Sequence, residues 1–65
     1  MKIIVNGDSR DIASLTLDAA LNELGFGNSI VATALNGDFI SAGARPNASL
    51  AEGDRVEIVA PMQGG

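Results

Sequence analysis

The sequence lacks the side chains on which most enzyme active sites and metal centres depend. Its 65 residues include no Cys and no His. These absences exclude a thiol nucleophile, a disulfide framework and a metal bound by Cys or His, and they remove the commonest general base. Lys2 is the only lysine, and Phe26 and Phe39 are the only aromatic residues. We therefore expect a protein without a bound cofactor or metal, whose chemistry depends on partners.

Positive charge is scarce as well. Four basic residues stand against eight acidic ones, and the net charge is -4. Nucleic-acid binding requires clustered Lys and Arg and usually aromatic stacking partners, so we expect no nucleic-acid partner. A small acidic domain would more readily dock on a basic protein surface, although solubility alone also explains the acidity.

Long apolar runs are missing too. No stretch approaches the ~20 residues that a transmembrane helix needs, and the chain does not open with the basic and apolar segments of a secretory signal. We therefore expect a cytoplasmic protein with no membrane contact. A chain of 65 residues is the size of one domain. We assign residues 1–60 to that domain, monomeric when free, and residues 61–65 to a flexible C-terminal tail.

Two Asn-Gly pairs, Asn6-Gly7 and Asn36-Gly37, predict two β-hairpins. A type I′ turn requires positive φ at both central residues, which Asn and Gly tolerate best. Runs of β-branched and apolar residues lie next to both pairs and favour strands. The four strands flanking the two pairs are predicted over residues 1–5, 8–12, 30–35 and 39–41.

One helix is predicted from Leu17 to Leu24. Thr16 is a favourable N-cap, because its hydroxyl can accept a hydrogen bond from a free backbone N–H of the first turn. Leu17, Leu21 and Leu24 share one face at helical spacing. Gly25 follows where a left-handed residue commonly ends a helix. The helix therefore has one apolar stripe to bury.

The remaining segments complete an α+β arrangement. Residues 42–51 are rich in small side chains and predict a loop, and residues 52–54 predict a turn into a last strand over residues 55–60. The first and last strands are the most apolar and are expected to pair at the centre of the sheet. A mixed sheet of four or five strands with one main helix packed on one face is the β-grasp, or ubiquitin-like, architecture.

The other face of this sheet is expected to remain uncovered. Side chains alternate along a strand, so residues next to the core-facing positions point away from the helix. The core-facing residues are predicted to be Ile3, Val5, Val56 and Ile58. The candidate docking residues of the outer face are Ile4, Ala32, Ala34, Val59 and Phe39, framed by Lys2, Arg55 and Glu57. Phe39 is ambiguous, with half-buried packing favoured over a partner contact. Scattered exposed apolar residues are also ordinary, which is the alternative to docking.

Two other patterns do not point to a site. The segment Gly25-Phe26-Gly27 begins like a dinucleotide-binding loop, but the third glycine is missing and the segment follows a helix rather than a strand. Acidic residues lie at or near the predicted turns and edges, where local hydrogen bonding explains them better than catalysis or metal binding. These residues are Asp8, Asp11, Asp38, Glu52 and Asp54.

The C-terminal tail carries an accessible reactive group. Gly64 and Gly65 lack Cβ atoms, so this segment can enter a narrow channel. The carboxylate of Gly65 is an unhindered acyl group, and Met62 and Gln63 precede the diglycine. Fully extended, the segment from Pro61 onward reaches ~17 Å. The alternative is a frayed end, where small residues are common.

Several segments of the chain match one known family in order and spacing. They are residues 3–7, 16–17, 31–32, 36–38 and 52–59, the last followed by the terminal diglycine. Together they resemble the sulfur-carrier proteins of thiamine (thiazole) biosynthesis, which are ubiquitin-like β-grasp proteins. The chain departs from that pattern at two places. Residues 41–44 separate the fourth strand from Arg45, where the family commonly has Pro-Arg, and Gln63 stands where a third glycine is common.

The resemblance implies a covalent carrier that is not itself an enzyme. An activating enzyme would use ATP to adenylate the carboxylate of Gly65, giving a transient C-terminal AMP adduct. A sulfur donor protein would convert this group to a thiocarboxylate, and the sulfur would pass to thiazole synthase. Two alternatives stay open. One is the small sulfur-carrier subunit of molybdopterin synthase, which is similar in fold and ending, and the other is a non-covalent docking module with an inert tail.

Overall fold

A computed structural model describes residues 1–60. In chain order the elements are β1 (Lys2–Val5), β2 (Asp8–Asp11), α1 (Leu17–Glu23), β3 (Ala32–Leu35), β4 (Asp38–Ile40), a 3₁₀ helix (Ala42–Asn47) and β5 (Arg55–Val59). The strands form one sheet in the order β2-β1-β5-β3-β4. β1 and β5 are parallel, and the other neighbouring strands are antiparallel. This mixed sheet confirms the predicted β-grasp architecture and the pairing of the first and last strands.

Both hairpins turn at the predicted Asn-Gly pairs. The φ angles are 50° at Asn6 and 88° at Gly7, and 51° at Asn36 and 89° at Gly37. Positive φ at both central positions matches the right-handed twist of the flanking strands, which is why Asn-Gly is favoured there. The two turns therefore fix the registers of β1 with β2 and of β3 with β4.

The helix has the predicted caps. The Thr16 hydroxyl accepts a hydrogen bond from the backbone N–H of Ala19 at 3.3 Å, and Gly25 has a φ of 95°. The helical residues end at Glu23, and Leu24 is the C-cap. Leu17 and Leu21 are buried against the sheet, so the apolar stripe lies where the sequence predicts it.

The core lies between α1 and one face of the sheet. The predicted alternation is confirmed, since Ile3 and Val56 are 0% and 1% exposed and their strand neighbours two positions on are also buried. Burying each large aliphatic side chain contributes about 1.5–3 kcal/mol. The buried hydrophobic residues are Ile3, Val5, Ile12, Leu17, Ala20, Leu21, Val31, Leu50, Val56 and Ile58.

Two predicted segments differ from the structure by more than one residue, while the other predicted element ends lie within one residue of those observed. The segment predicted as a loop over residues 42–51 contains the 3₁₀ helix, with the Ala44 N–H donating to the Ser41 carbonyl at 3.0 Å. Such short helices have weak sequence signals. The strand predicted from Ile30 begins at Ala32, which pairs with Val59. Because β5 ends at Val59, the residues before Ala32 have no strand opposite them.

No helix in the described part of the chain is long and apolar enough to cross a bilayer.

Candidate docking face and C-terminal strand

The outer face of the sheet brings the predicted docking residues together in two cross-strand pairs. Ala32 lies opposite Val59, and Ala34 lies opposite Phe39. Val59 is 61% exposed and Phe39 is 72% exposed. Within residues 1–60 no helix covers this face, because α1 and the core occupy the other one. The result is an apolar strip across β5, β3 and β4.

Ile4 extends this face to β1. It is partly buried and lies opposite Arg55 in the parallel register of β1 and β5. Lys2, Arg55 and Glu57 are all exposed at alternating positions of the same two strands. These side chains provide both signs of charge beside the apolar strip, as the sequence predicts. A partner surface would therefore meet an apolar centre with charged neighbours.

Phe39 does not have the half-buried packing that the sequence analysis favours. Its neighbour Ile40 packs against the core, and alternation along β4 turns Phe39 to the outer face. β4 is an edge strand, so among residues 1–60 no further strand lies beyond the ring. Its role in docking stays a prediction.

Ile30 is an exposed apolar residue that lies before β3, although the sequence predicts a strand there. It is 84% exposed and lines a shallow depression with Val31, Ala32 and Val59. This depression continues the outer face towards the end of β5. The glycine and polar residues before Ile30 are the signal that could have placed it in a connecting segment.

Two asparagine side chains, which the sequence predicts only as turn residues, bind the two ends of β5. The Asn6 amide accepts from the Ile58 N–H at 2.8 Å and donates to the Ile58 carbonyl at 3.0 Å. The Asn36 amide accepts from the Arg55 N–H at 2.9 Å and donates to Asp54 Oδ1 at 3.1 Å. Each turn asparagine therefore supports the strand that leads to the C-terminal segment.

Arg45 makes internal contacts. Its Nε donates to the Thr33 hydroxyl at 3.0 Å, and its Nη2 donates to the Val31 carbonyl at 2.6 Å. The Thr33 hydroxyl donates in turn to the Ile40 carbonyl at 2.8 Å. This network ties the 3₁₀ helix to β3 and β4 and satisfies a buried hydroxyl group.

Two of the five acidic side chains at the turns and edges, Glu52 and Asp54, accept backbone hydrogen bonds beside the start of β5. Glu52 accepts from the Lys2 N–H at 2.9 Å, and Asp54 accepts from the Ala51 N–H at 2.8 Å. No group of three His, Cys, Asp or Glu residues among residues 1–60 lies close enough to hold a metal ion.

The predicted covalent site lies outside the described residues. Gly65, Gly64, Gln63 and Met62 all belong to the segment 61–65, and so does the predicted flexibility of the tail. The described part ends at Ala60, directly after β5, so the sheet fixes the point from which the tail continues.

Comparison with known proteins decides between the families that share this fold. The sequence profile of the ThiS family matches residues 3–65. The chain belongs to the ThiS family. A sulfur carrier protein ThiS from Thermus thermophilus is 39% identical over 61 residues, covering 94% of this chain and 95% of that protein. The prediction of a sulfur carrier of thiamine biosynthesis is confirmed, and the molybdopterin alternative is not favoured.

Solved structures of a ThiS relative support the assignment. The crystal structure of the thiamine biosynthesis protein ThiS from Geobacter metallireducens superposes with a TM-score of 0.84 at 28% identity and covers both chains completely. A solution structure of a thiamine biosynthesis protein from the same organism gives a TM-score of 0.80, covering this chain completely and 88% of that one.

A second relative is much longer than this chain. A thiazole synthase from Paramagnetospirillum magneticum is 36% identical over 66 residues, and the match covers all of this chain. The chain spans only 20% of the length of that protein. A ThiS-like sequence therefore occurs within a protein named for the enzyme that the sequence analysis predicts as a partner.

Proposed function

We propose that the carboxylate of Gly65 is the group that carries sulfur. Membership of the ThiS family is the observation that carries this proposal. The carboxylate is ionised at neutral pH and is a poor electrophile, so it needs activation. The sequence without Cys or His supplies no nucleophile or base of the usual kind, which fits a carrier that partner enzymes modify.

The proposed chemistry has two steps. A carboxylate oxygen of Gly65 attacks the α-phosphorus of ATP, and pyrophosphate leaves to give the acyl-adenylate. Sulfur at the oxidation level of sulfide, supplied by a donor protein, then attacks the acyl carbon. The bond from that carbon to the AMP oxygen breaks, leaving a thiocarboxylate and free AMP. The cytoplasm supplies the ATP that these steps use, and it is the compartment that we propose for the carrier.

The outer face is the proposed surface for the activating enzyme and for thiazole synthase. Its apolar strip contains Phe39 and Val59, both mostly exposed, and it adjoins the end of β5. A partner bound there would lie beside the point from which the tail leaves the sheet. The match to a long thiazole synthase supports thiazole synthase as one of these partners.

Intact mass spectrometry of the protein from its native cell tests the covalent step. We expect a species heavier by the replacement of one oxygen with sulfur, sensitive to hydrolysis and localised to Gly65. The purified chain incubated with ATP, the activating enzyme and a sulfur donor should give the same species. A variant extended past Gly65 by one alanine is the control, and it should remain unmodified. If the wild-type chain also stays unmodified, the docking module becomes the better account.

A further inference from the structure

The parallel pairing of β1 with β5 stops before β5 does. The registered pairs are Ile4 with Arg55 and Val5 with Val56, and the last backbone bond of this ladder joins the Asn6 N–H to the Val56 carbonyl at 2.9 Å. At Asn6 the chain turns away towards β2. A continued β1 strand would next bind the peptide groups of Ile58, but no strand lies there in the described part.

The side-chain amide of Asn6 takes the place of that missing strand. Its carbonyl oxygen accepts from the Ile58 N–H, and its NH₂ group donates to the Ile58 carbonyl. A primary amide offers the same donor and acceptor pair as a peptide group, so this side chain extends the ladder by one step. On the other side of β5, β3 continues to the pair of Ala32 with Val59. The last part of β5 therefore has a strand on one side and a single side chain on the other.

We propose that Asn6 is a positioning residue for sulfur loading, acting by fixing the direction in which the chain leaves β5. This inference rests on the proposed function of Gly65. Ile58 lies just before the end of β5, and Gly65 must enter the active site of an enzyme that binds the globular domain. Chemistry between bound groups is sensitive to small errors in placement, so a loosened β5 end lowers the rate within the complex.

The second turn provides a matched control. Asn36 also has positive φ, also precedes a glycine, and also makes two side-chain hydrogen bonds, but these bonds hold the start of β5 at Asp54 and Arg55. Glycine adopts positive φ readily, so Asn6→Gly and Asn36→Gly both preserve the turn while removing the amide. Each variant loses two side-chain hydrogen bonds, and the lost bonds lie at opposite ends of one strand.

The experiment measures thiocarboxylate formation by the activating enzyme as a function of carrier concentration for wild type and both variants. For Asn6→Gly we expect kcat to fall by roughly fivefold with KM nearly unchanged, because the docking face is intact. For Asn36→Gly we expect both constants to stay within about twofold of wild type. Amide hydrogen exchange at Ile58 should accelerate in the first variant, and exchange at Arg55 should accelerate in the second.

Measuring kcat and KM separately distinguishes a positioning role of Asn6 from other effects of the substitution. A partly unfolded carrier, or a direct contact between Asn6 and the enzyme, would raise KM and leave kcat at saturation unchanged. Either result, or equal losses of kcat in the two variants, would overturn the positioning role while leaving Gly65 as the sulfur carrier. If the wild-type chain acquires no sulfur, the proposed function fails and the role of Asn6 fails with it.

Discussion

At the residue scale, several polar side chains form hydrogen bonds with residues that lie far from them in the sequence. Arg45 shows this most clearly, because it reaches from the 3₁₀ helix to the side chain of Thr33 and the carbonyl of Val31. Thr33 is 2% exposed, and such a hydroxyl is costly to bury unless it is hydrogen-bonded. The guanidinium of Arg45, a cationic donor at the surface of the domain, therefore supplies a hydrogen bond to the buried hydroxyl of Thr33.

Replacing Arg45 with methionine should destabilise the fold. The change keeps an apolar stem but leaves the Val31 carbonyl without its short hydrogen bond and removes one partner of Thr33. We expect a loss of about 1–3 kcal/mol in the free energy of unfolding. Urea denaturation of Arg45→Met measures this, with Arg10→Met in the exposed strand β2 as the control. Equal losses in the two variants would contradict the structural role of Arg45.

At the scale of the element, α1 is fixed at both ends by side chains. Thr16 caps its first turn, while the carboxylate of Glu23 at its last turn accepts from the Ala13 N–H and the Ser14 N–H, each at 3.0 Å. The Ser14 hydroxyl donates to the same carboxylate at 2.6 Å. This connection joins the last turn of α1 to the segment that enters it. The hydrogen bond from Ser14, followed by that from Ala13, holds the pKa of Glu23 below its ordinary value.

The stabilisation by Glu23 should depend on pH. A carboxyl group with a lowered pKa in the folded state stabilises the protein fully above its ordinary pKa, and the effect disappears as the pH falls through the folded pKa. Glu23→Gln should therefore be less stable than wild type near neutral pH, and the difference should shrink in acid. Urea denaturation over a pH series measures this difference.

A Ser14→Ala background supplies the control for Glu23, because it removes the largest cause of the lowered pKa. There, Glu23→Gln should cost less stability than in the wild-type background. If the stability difference between wild type and Glu23→Gln stayed constant across the pH series, the charge of the carboxylate would not be what matters.

At the scale of the whole molecule, the fold separates the buried core from the predicted docking face. One face of the sheet and α1 form the core, and the other face presents the apolar strip beside the end of β5. Exposed aromatic and aliphatic residues contribute little to folding, yet they can contribute strongly to binding when a partner desolvates them. Changes on the outer face should therefore affect docking and leave the fold intact.

Replacing Phe39 with serine tests this separation. We expect affinity for the activating enzyme or thiazole synthase to fall by about 1 kcal/mol or more, with the unfolding temperature nearly unchanged. Isothermal titration calorimetry and thermal denaturation measure the two quantities. Leu15→Ser is the matched control, because Leu15 is 71% exposed and Phe39 is 72% exposed, but Leu15 lies between β2 and α1, outside the sheet. Equal losses of affinity would place the docking surface elsewhere.

Much of the fold was predictable because its signals are local. Asn-Gly turns, the Thr16 cap, the leucine stripe and the alternation of β5 each depend on residues close together in the chain, and each has the predicted conformation. The outer face followed from the same alternation. The 3₁₀ helix has only a weak sequence signal, and the start of β3 depends on pairing with the distant strand β5, so neither could be predicted from local residues.

The sequence by itself determined the elements, the face that each element buries, and the resemblance to sulfur carriers, since all of these depend on residue type and spacing. Only the tertiary structure decided the features that depend on contacts between residues far apart in the sequence. It left Phe39 mostly exposed, directed Arg45 inward, and gave Asn6 and Asn36 a second role at the two ends of β5. A hydrogen bond between residues 52 positions apart leaves no local pattern, because it exists only after the sheet has brought the two segments together.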